Sequence, residues 1–164
     1  MDKLEIRGAL PQDKEAVLQF CQETWEGGDY IPQVWDAWLN DPCGRLVVGI
    51  LENLPIAVAH LTVLAPGEAW FEGLRVAPEY RNRGVAEAVA QHCIRVATES
   101  GTVVVRFMTL ASNMAACQIG FRLGFQQVAS FLLCRADSEE DSSQLLTALE
   151  PKHLEDLLAF IEGN

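Results

Sequence analysis

A mixed α/β domain with an acidic linker and a helical tail is the architecture this sequence predicts, on three observations. Strand-like and helix-like segments alternate along residues 3–135, three strand-like segments follow one another in the middle, and a polar stretch at 137–143 closes the pattern. The division expected is 1–136 for the domain and 137–164 for linker and tail. At 164 residues, 49% hydrophobic and 21% charged, the chain has the size and composition of a globular protein with a substantial core.

Each element has a local reason. Residues 3–7 read as a short strand, and Pro11 with Asp13 opens a helix to about Gln22, with Ala16, Val17, Phe20 and Cys21 at helical spacing. The Gly27-Gly28 pair makes Trp25–Tyr30 a loop. A second helix, Pro32–Leu39, carries Val34, Trp35 and Trp38 and ends at Asp41-Pro42. Strands follow at Arg45–Leu51 and Ile56–Leu64, with a turn over Asn53 to Pro55, and at Ala69–Val76 after the Pro66-Gly67 turn. Regular alternation in the last of these puts Trp70, Glu72, Leu74 and Val76 on one face, and Phe71, Gly73 and Arg75 on the other. Residues 84–99 form a helix with a buried stripe of Val85, Val89, Cys93 and Val96. Val103–Thr109 is a strand, Asn113–Leu123 a helix and Gln127–Arg135 a last strand.

Charge and cysteine usage exclude several functions. A net charge of −11 argues against nucleic acid, since neutralising phosphates needs clustered Lys and Arg, and it disfavours anionic membrane surfaces. It suits a cationic amine, although acidity alone serves solubility. The five cysteines, Cys21, Cys43, Cys93, Cys117 and Cys134, are odd in number and lack the spacing of a metal or redox site. No metal is therefore expected, and buried reduced thiols point to the cytoplasm. The N-terminal residues lack the apolar run of a secretion signal, and no apolar stretch is long enough to span a bilayer.

Residues 72–94, EGLRVAPEYRNRGVAEAVAQHCI, carry the chemistry. A strand ends at Val76, Pro78 makes a turn, and Arg81, Arg83 and Gly84 come immediately before a helix. The first amides of a helix lack intrahelical acceptors and sit at the positive end of its dipole. Gly84 allows the backbone to close around an anion, small Ala86 lets it approach, and two guanidiniums add charge-assisted hydrogen bonds. These are the requirements for a pyrophosphate; read alone, the segment supports a phosphate site or simply a helix start with exposed arginines.

Arg81-x-x-Gly84-x-Ala86 resembles the acetyl-CoA loop of the GCN5-related N-acetyltransferase (GNAT) family, preceded as in that family by Val76-Ala77-Pro78. A second signature matches at Asn113, Ala116, Gly124 and Phe125, and the element order fits from residue 3 to about 135. The resemblance implies a strongly bent mixed sheet, splayed between its fourth and fifth strands, with acetyl-CoA in the opening. It implies cofactor contacts from Leu74, Arg75, Val76, Arg81, Arg83, Gly84, Val85, Ala86 and Asn113. The implied reaction is direct attack of a neutral amine on the thioester, with a strand N–H stabilising the oxyanion and two proton transfers.

The sequence departs from the family at the second transfer. Where many members carry a tyrosine as general acid, four residues before the Gly-Phe glycine, this chain has Gly120. Water, another side chain or unassisted departure of the thiolate then remains. Glu72 is the candidate base; the alternative is that it attracts a cationic substrate or pairs with an arginine. His60, inside a β-branched run, reads as a core histidine.

The loop over residues 24–42 is similar to that of a subgroup including the vertebrate histidine N-acetyltransferases, on Asp29-Tyr30-Ile31-Pro32 followed by Trp35 and Trp38. The similarity implies an acceptor site at Asp29, Tyr30 and Trp35, for a small amine such as an α-amino acid. Alternatively, Trp35 and Trp38 anchor the core and Asp29 caps a helix. A non-catalytic acyl-CoA sensor and a protein N-terminal acetyltransferase are the competing functions. In the tail, Pro151, Glu155, Leu158 and Phe160 repeat the spacing of Pro11, Glu15, Leu18 and Phe20. The tail is expected to open a truncated second repeat, or to pack its Leu154, Leu157, Leu158 and Ile161 face on this domain or on a dimer mate.

Overall fold

The computed structural model describes residues 4–22 and 28–131. The chain separates into two compact units, Met1–Gln126 and Gln127–Asn164. In the first unit the order is β1 (Glu5–Gly8), α1 (Lys14–Cys21), α2 (Ile31–Leu39), β2 (Gly44–Leu51), β3 (Leu54–Ala65), β4 (Glu68–Val76), α3 (Val85–Glu99), β5 (Val104–Arg106) and α4 (Met114–Arg122). The five strands form one sheet in chain order. The first four are antiparallel neighbours, and β5 joins β4 in parallel.

Turn chemistry sets the hairpins. The β2–β3 turn is Glu52-Asn53, both left-handed at φ 51° and 64°, the two-residue geometry that matches strand twist. It lies earlier than the expected Asn53 to Pro55 turn, because Leu54 and Pro55 already pair with Leu51 and Ile50. Pro66-Gly67, with Gly67 at φ 79°, closes the next hairpin as expected.

The core is apolar and continuous. It joins Val17, Phe20 and Cys21 of α1, Ile31, Trp35 and Trp38 of α2, and Val85, Val89, Ala90, Cys93 and Ala97 of α3 to the central strands. On α3 the deepest position of the last turn is Ala97 rather than Val96, which is half-buried. At the other end of the unit, Arg7 forks onto Asp13 at 2.7 and 2.9 Å while Asp13 accepts the Leu10 amide, fixing the entry to α1.

Three expectations need correction. The first concerns β4, which does not alternate regularly. Val58 pairs with Arg75 and His60 with Glu72, so two residue steps on β3 span three on β4. Gly73, at φ 67°, supplies the left-handed residue that such a bulge needs. A Cβ there would also stand 2.6 Å from the Trp38 ring. Because the bulge inserts one residue, Glu72 and Arg75 both reach groups on or beside α2 instead of lying on opposite faces. The second concerns β5. Pairing covers only Glu68–Trp70 with Val104–Arg106, so the expected strand over 103–109 is cut short where β5 leaves β4. The third is the expected strand Gln127–Arg135: residues 127–131 carry no ladder, and Gln127 instead donates locally to Ser130. Residues 132–135 and the expected linker and tail helix over 137–164 lie outside the described residues.

Candidate active site

The splay between β4 and β5 exposes a strand edge. Among the described residues, β5 accompanies β4 no further than Trp70, so Phe71–Val76 has no strand along that side. Leu74 and Val76, expected to pair with an extended ligand arm, lie on this stretch. Their carbonyls already accept from arginines: Leu74 from Arg75 at 3.1 Å and Val76 from Arg81 at 3.0 Å.

Beyond the strand, Pro78–Tyr80 makes one 3-10 turn and the chain reaches α3 through Arg81, Asn82, Arg83 and Gly84. Asn82 and Gly84 are left-handed at φ 59° and 78°. Gly84 is the residue before α3, and its carbonyl accepts the Ala88 amide at 3.0 Å. No atom stands within 4 Å of where its Cβ would be. The loop is therefore an open concavity at the start of a 15-residue helix, with exposed Arg81 and Arg83 beside it. Val85 is buried and turned into the core, so at that position only the backbone is offered. This arrangement fits a pyrophosphate: unpaired helix amides, two cations, and space where a side chain would intrude. Arg83 lies 5.5 Å over the Tyr80 ring, which holds its guanidinium near the loop.

Asn113 opens α4, its side-chain oxygen accepting the Ala116 amide at 3.2 Å. Seven residues on, Gly120 is buried against Phe107; a Cβ there would stand 2.8 Å from the Phe107 ring. Phe107 packs edge-on to Phe125 at 4.9 Å. The place of the family's tyrosine is thus filled by an apolar ring from the neighbouring segment.

On the α2 side the bulge assembles a second group. Asp29, with its side chain fully buried, receives Arg75 at 2.6 and 3.2 Å and accepts the Ile31 amide at 3.0 Å. Arg75 also lies 5.2 Å over the Tyr30 ring. Tyr30 meets Trp38 edge-on, and Trp38 stacks flat on His60 at 4.5 Å. His60 Nδ1 stands 3.2 Å from Glu72 Oε1. Of these groups Tyr30 is 44% exposed and the Glu72 side chain 30% exposed, so these two can meet a ligand. Burial pushes the Tyr30 phenol above its usual range; Arg75 opposes that shift and Glu72 and Asp29 add to it.

The structure therefore brings Asp29, Tyr30, Glu72 and Arg75 together, although 46 residues separate Asp29 from Arg75. It sets Trp35 apart: that side chain is fully buried in the core, and its indole N–H has no partner among the described residues. Sequence reasoning passed over two further members of this cluster, His60 and Asp41. Asp41 Oδ2 accepts the Thr62 hydroxyl at 2.8 Å and lies 3.3 Å from His60 Nε2. Burial alone would raise the Asp41 pKa, but donors from the Cys43 amide and Thr62, with His60 nearby, hold it below its ordinary value.

Comparison with known proteins bears on the family and the fold. The acetyltransferase (GNAT) family model matches residues 14–125. A histidine N-acetyltransferase of Oreochromis niloticus is 31% identical over 91 residues, 55% of this chain and 27% of its own. Another from Xenopus tropicalis is 32% identical over 89 residues, 54% and 28% of the two chains. The match thus spans about a quarter of the length of these relatives. Among solved structures, the aminoglycoside N-acetyltransferase AAC(6')-Iy in complex with CoA superposes with a TM-score of 0.69 at 19% identity, over 84% of this chain and 97% of that one. Family match, strand order and splayed sheet agree: the chain belongs to the acetyltransferase (GNAT) family.

Proposed function

We propose that this protein transfers the acetyl group of acetyl-CoA directly to the primary amine of a small molecule, with an α-amino acid such as histidine as the class of acceptor. The observation that carries the reading is Glu72. It lies beside the Gly73 bulge, within electrostatic reach of exposed Tyr30, on the strand whose open edge lines the splay. The relatives named histidine N-acetyltransferase support the acceptor class.

The geometry supports the following roles. Amides at the start of α3, through Val85 and Ala86, hold the pyrophosphate with Arg81 and Arg83, and Gly84 leaves room for it. The β4 backbone at Leu74 and Val76 pairs with the extended arm, and Asn113 fixes the start of α4 beside the splay. When bound, acetyl-CoA supplies the acetyl group as a thioester. Glu72 takes a proton from the acceptor ammonium, and Tyr30 offers it an aromatic face. Asp29 acts through Arg75, holding the Tyr30 end of the loop. Trp35 supports α2 from the core. With Phe107 over Gly120, the departing thiolate takes its proton from water, which its modest basicity permits.

Thiol release from acetyl-CoA with a panel of amines tests this. Glu72→Gln should lower kcat by roughly 10²–10⁴-fold with CoA affinity retained. Acetylation of peptide N-termini with free amino acids ignored would overturn the acceptor class. One observation favours a second reading: Phe107 in the general-acid position suits a non-catalytic CoA sensor. CoA binding without thiol release for any amine would establish that reading instead.

A further inference from the structure

We infer that His60 is a positioning residue for Glu72, its ring held flat by Trp38 with Asp41 beside its other nitrogen, behind the acceptor site. The inference rests on the reading of Glu72 as proton acceptor.

His60 is 1% exposed, yet it is placed as a polar group. Its Nδ1 is 3.2 Å from Glu72 Oε1, its Nε2 is 3.3 Å from Asp41 Oδ2, and its ring lies flat on Trp38. His60 and Glu72 are direct cross-strand partners, so strand pairing itself fixes their approach. The Nε2 contact has ion-pair distance but not hydrogen-bond alignment. Thr62 and the Cys43 amide orient Asp41 with bonds of 2.8 and 2.9 Å. The backbone makes room for this group: a Cβ at Gly44 would stand 2.1 Å from Asp41 Oδ2 and 2.7 Å from His60 Nε2.

A histidine serving only to fill the core needs none of this. A leucine would cover Trp38 without the cost of burying a polar ring. A ring donor at Nδ1 instead pins one Glu72 oxygen, which leaves Oε2 for the amine's proton. The charged groups facing the ring are Glu72 from β4 and Asp41 from the segment before β2; α2 presents uncharged Trp38. Tyr30 and Arg75 lie within electrostatic reach of Glu72 or of each other.

The test uses the full chain, with thiol release as readout and CoA affinity as the check on folding. His60→Leu should lower kcat roughly ten- to hundredfold, the scale of a hydrogen bond to a charged group, with CoA affinity unchanged. His60→Asn, whose amide nitrogen takes the place of Nδ1, should restore much of the rate; His60→Gln, which reaches toward Asp41, should not. In the Glu72→Gln background, His60→Leu should cost little more. If Glu72→Gln is slow but His60→Leu matches the parent, or if Asn rescues no better than Gln, the inference is overturned and the role of Glu72 stands. If Glu72→Gln is itself unimpaired, both fall. Should His60→Leu fail to fold, the Asn and Gln variants decide alone, and equal rates overturn the inference.

Discussion

Asp29→Ala should destabilise the domain out of proportion to one lost side chain. Asp29 is fully buried and its partner Arg75 is 10% exposed, joined by contacts of 2.6 and 3.2 Å. Breaking a buried ion pair by removing one partner costs about 3–5 kcal/mol. For 164 residues each kcal/mol lowers Tm by about 2–4 °C, so the expected fall is about 6–20 °C. Asp29→Asn keeps an oxygen for the Ile31 amide and should lose less, by about 1 kcal/mol, the scale of a lost helix-start bond. Adding Arg75→Met to Asp29→Ala removes the buried cation whose carboxylate has gone and should recover part of the loss. Thermal and urea unfolding of the three variants measures all of this. A double variant no more stable than Asp29→Ala would refute the reasoning, and so would a fall in Tm under about 2 °C. A direct substrate contact at Asp29 would behave differently, raising the acceptor KM at unchanged Tm.

Two further outcomes follow from other elements. Gly84→Val should abolish measurable CoA binding by calorimetry, because φ 78° strains any side chain and the new Cβ fills the concavity; unchanged affinity would remove the loop from the site. The Asp13 carboxyl is held below its ordinary 3.8, chiefly by the Arg7 hydrogen bond against the opposing effect of burial. Its stabilising contribution is therefore present above about pH 4 and lost as pH falls through the depressed value. Arg7→Met should flatten that acid limb of the stability profile, and an unchanged limb would show that the pair does not matter.

What could be read from the sequence was what is local. Helix starts at Pro11 and Asn113, the Pro66-Gly67 turn and the Arg81–Ala86 loop each announce themselves within a few residues, and the structure places them close to where they were expected. The bulge was harder. A glycine inside a strand pattern is a bulge signal, but the residues around Gly73 read as one continuous strand, and nothing local says that Trp38 lies over it. Strand register was also out of reach, so the pairing of His60 with Glu72 could not be deduced and His60 read as core. The Asp29–Arg75 contact depends on how a loop folds across a distant strand, which neither composition nor periodicity encodes. Where β5 leaves β4 is set by pairing to a strand distant in sequence, so Val103–Thr109, apolar but for Arg106 and Thr109, reads as a longer strand than it is.

The contact between Gly120 and Phe107 constrains how this protein can change. A tyrosine introduced at 120 would meet the Phe107 ring, so on its own it is a damaging mutation. Shrinking Phe107 alone would leave a void beside Phe125 and is damaging too. Only the pair together opens a route to a built-in proton donor, so the two positions show sign epistasis, with a fitness valley between the present state and the tyrosine-bearing one. Under the function proposed above, an aromatic at 107 commits the protein to releasing its thiol product without that donor. Improvement of turnover by selection should then appear first around Glu72 and Tyr30 rather than on α4.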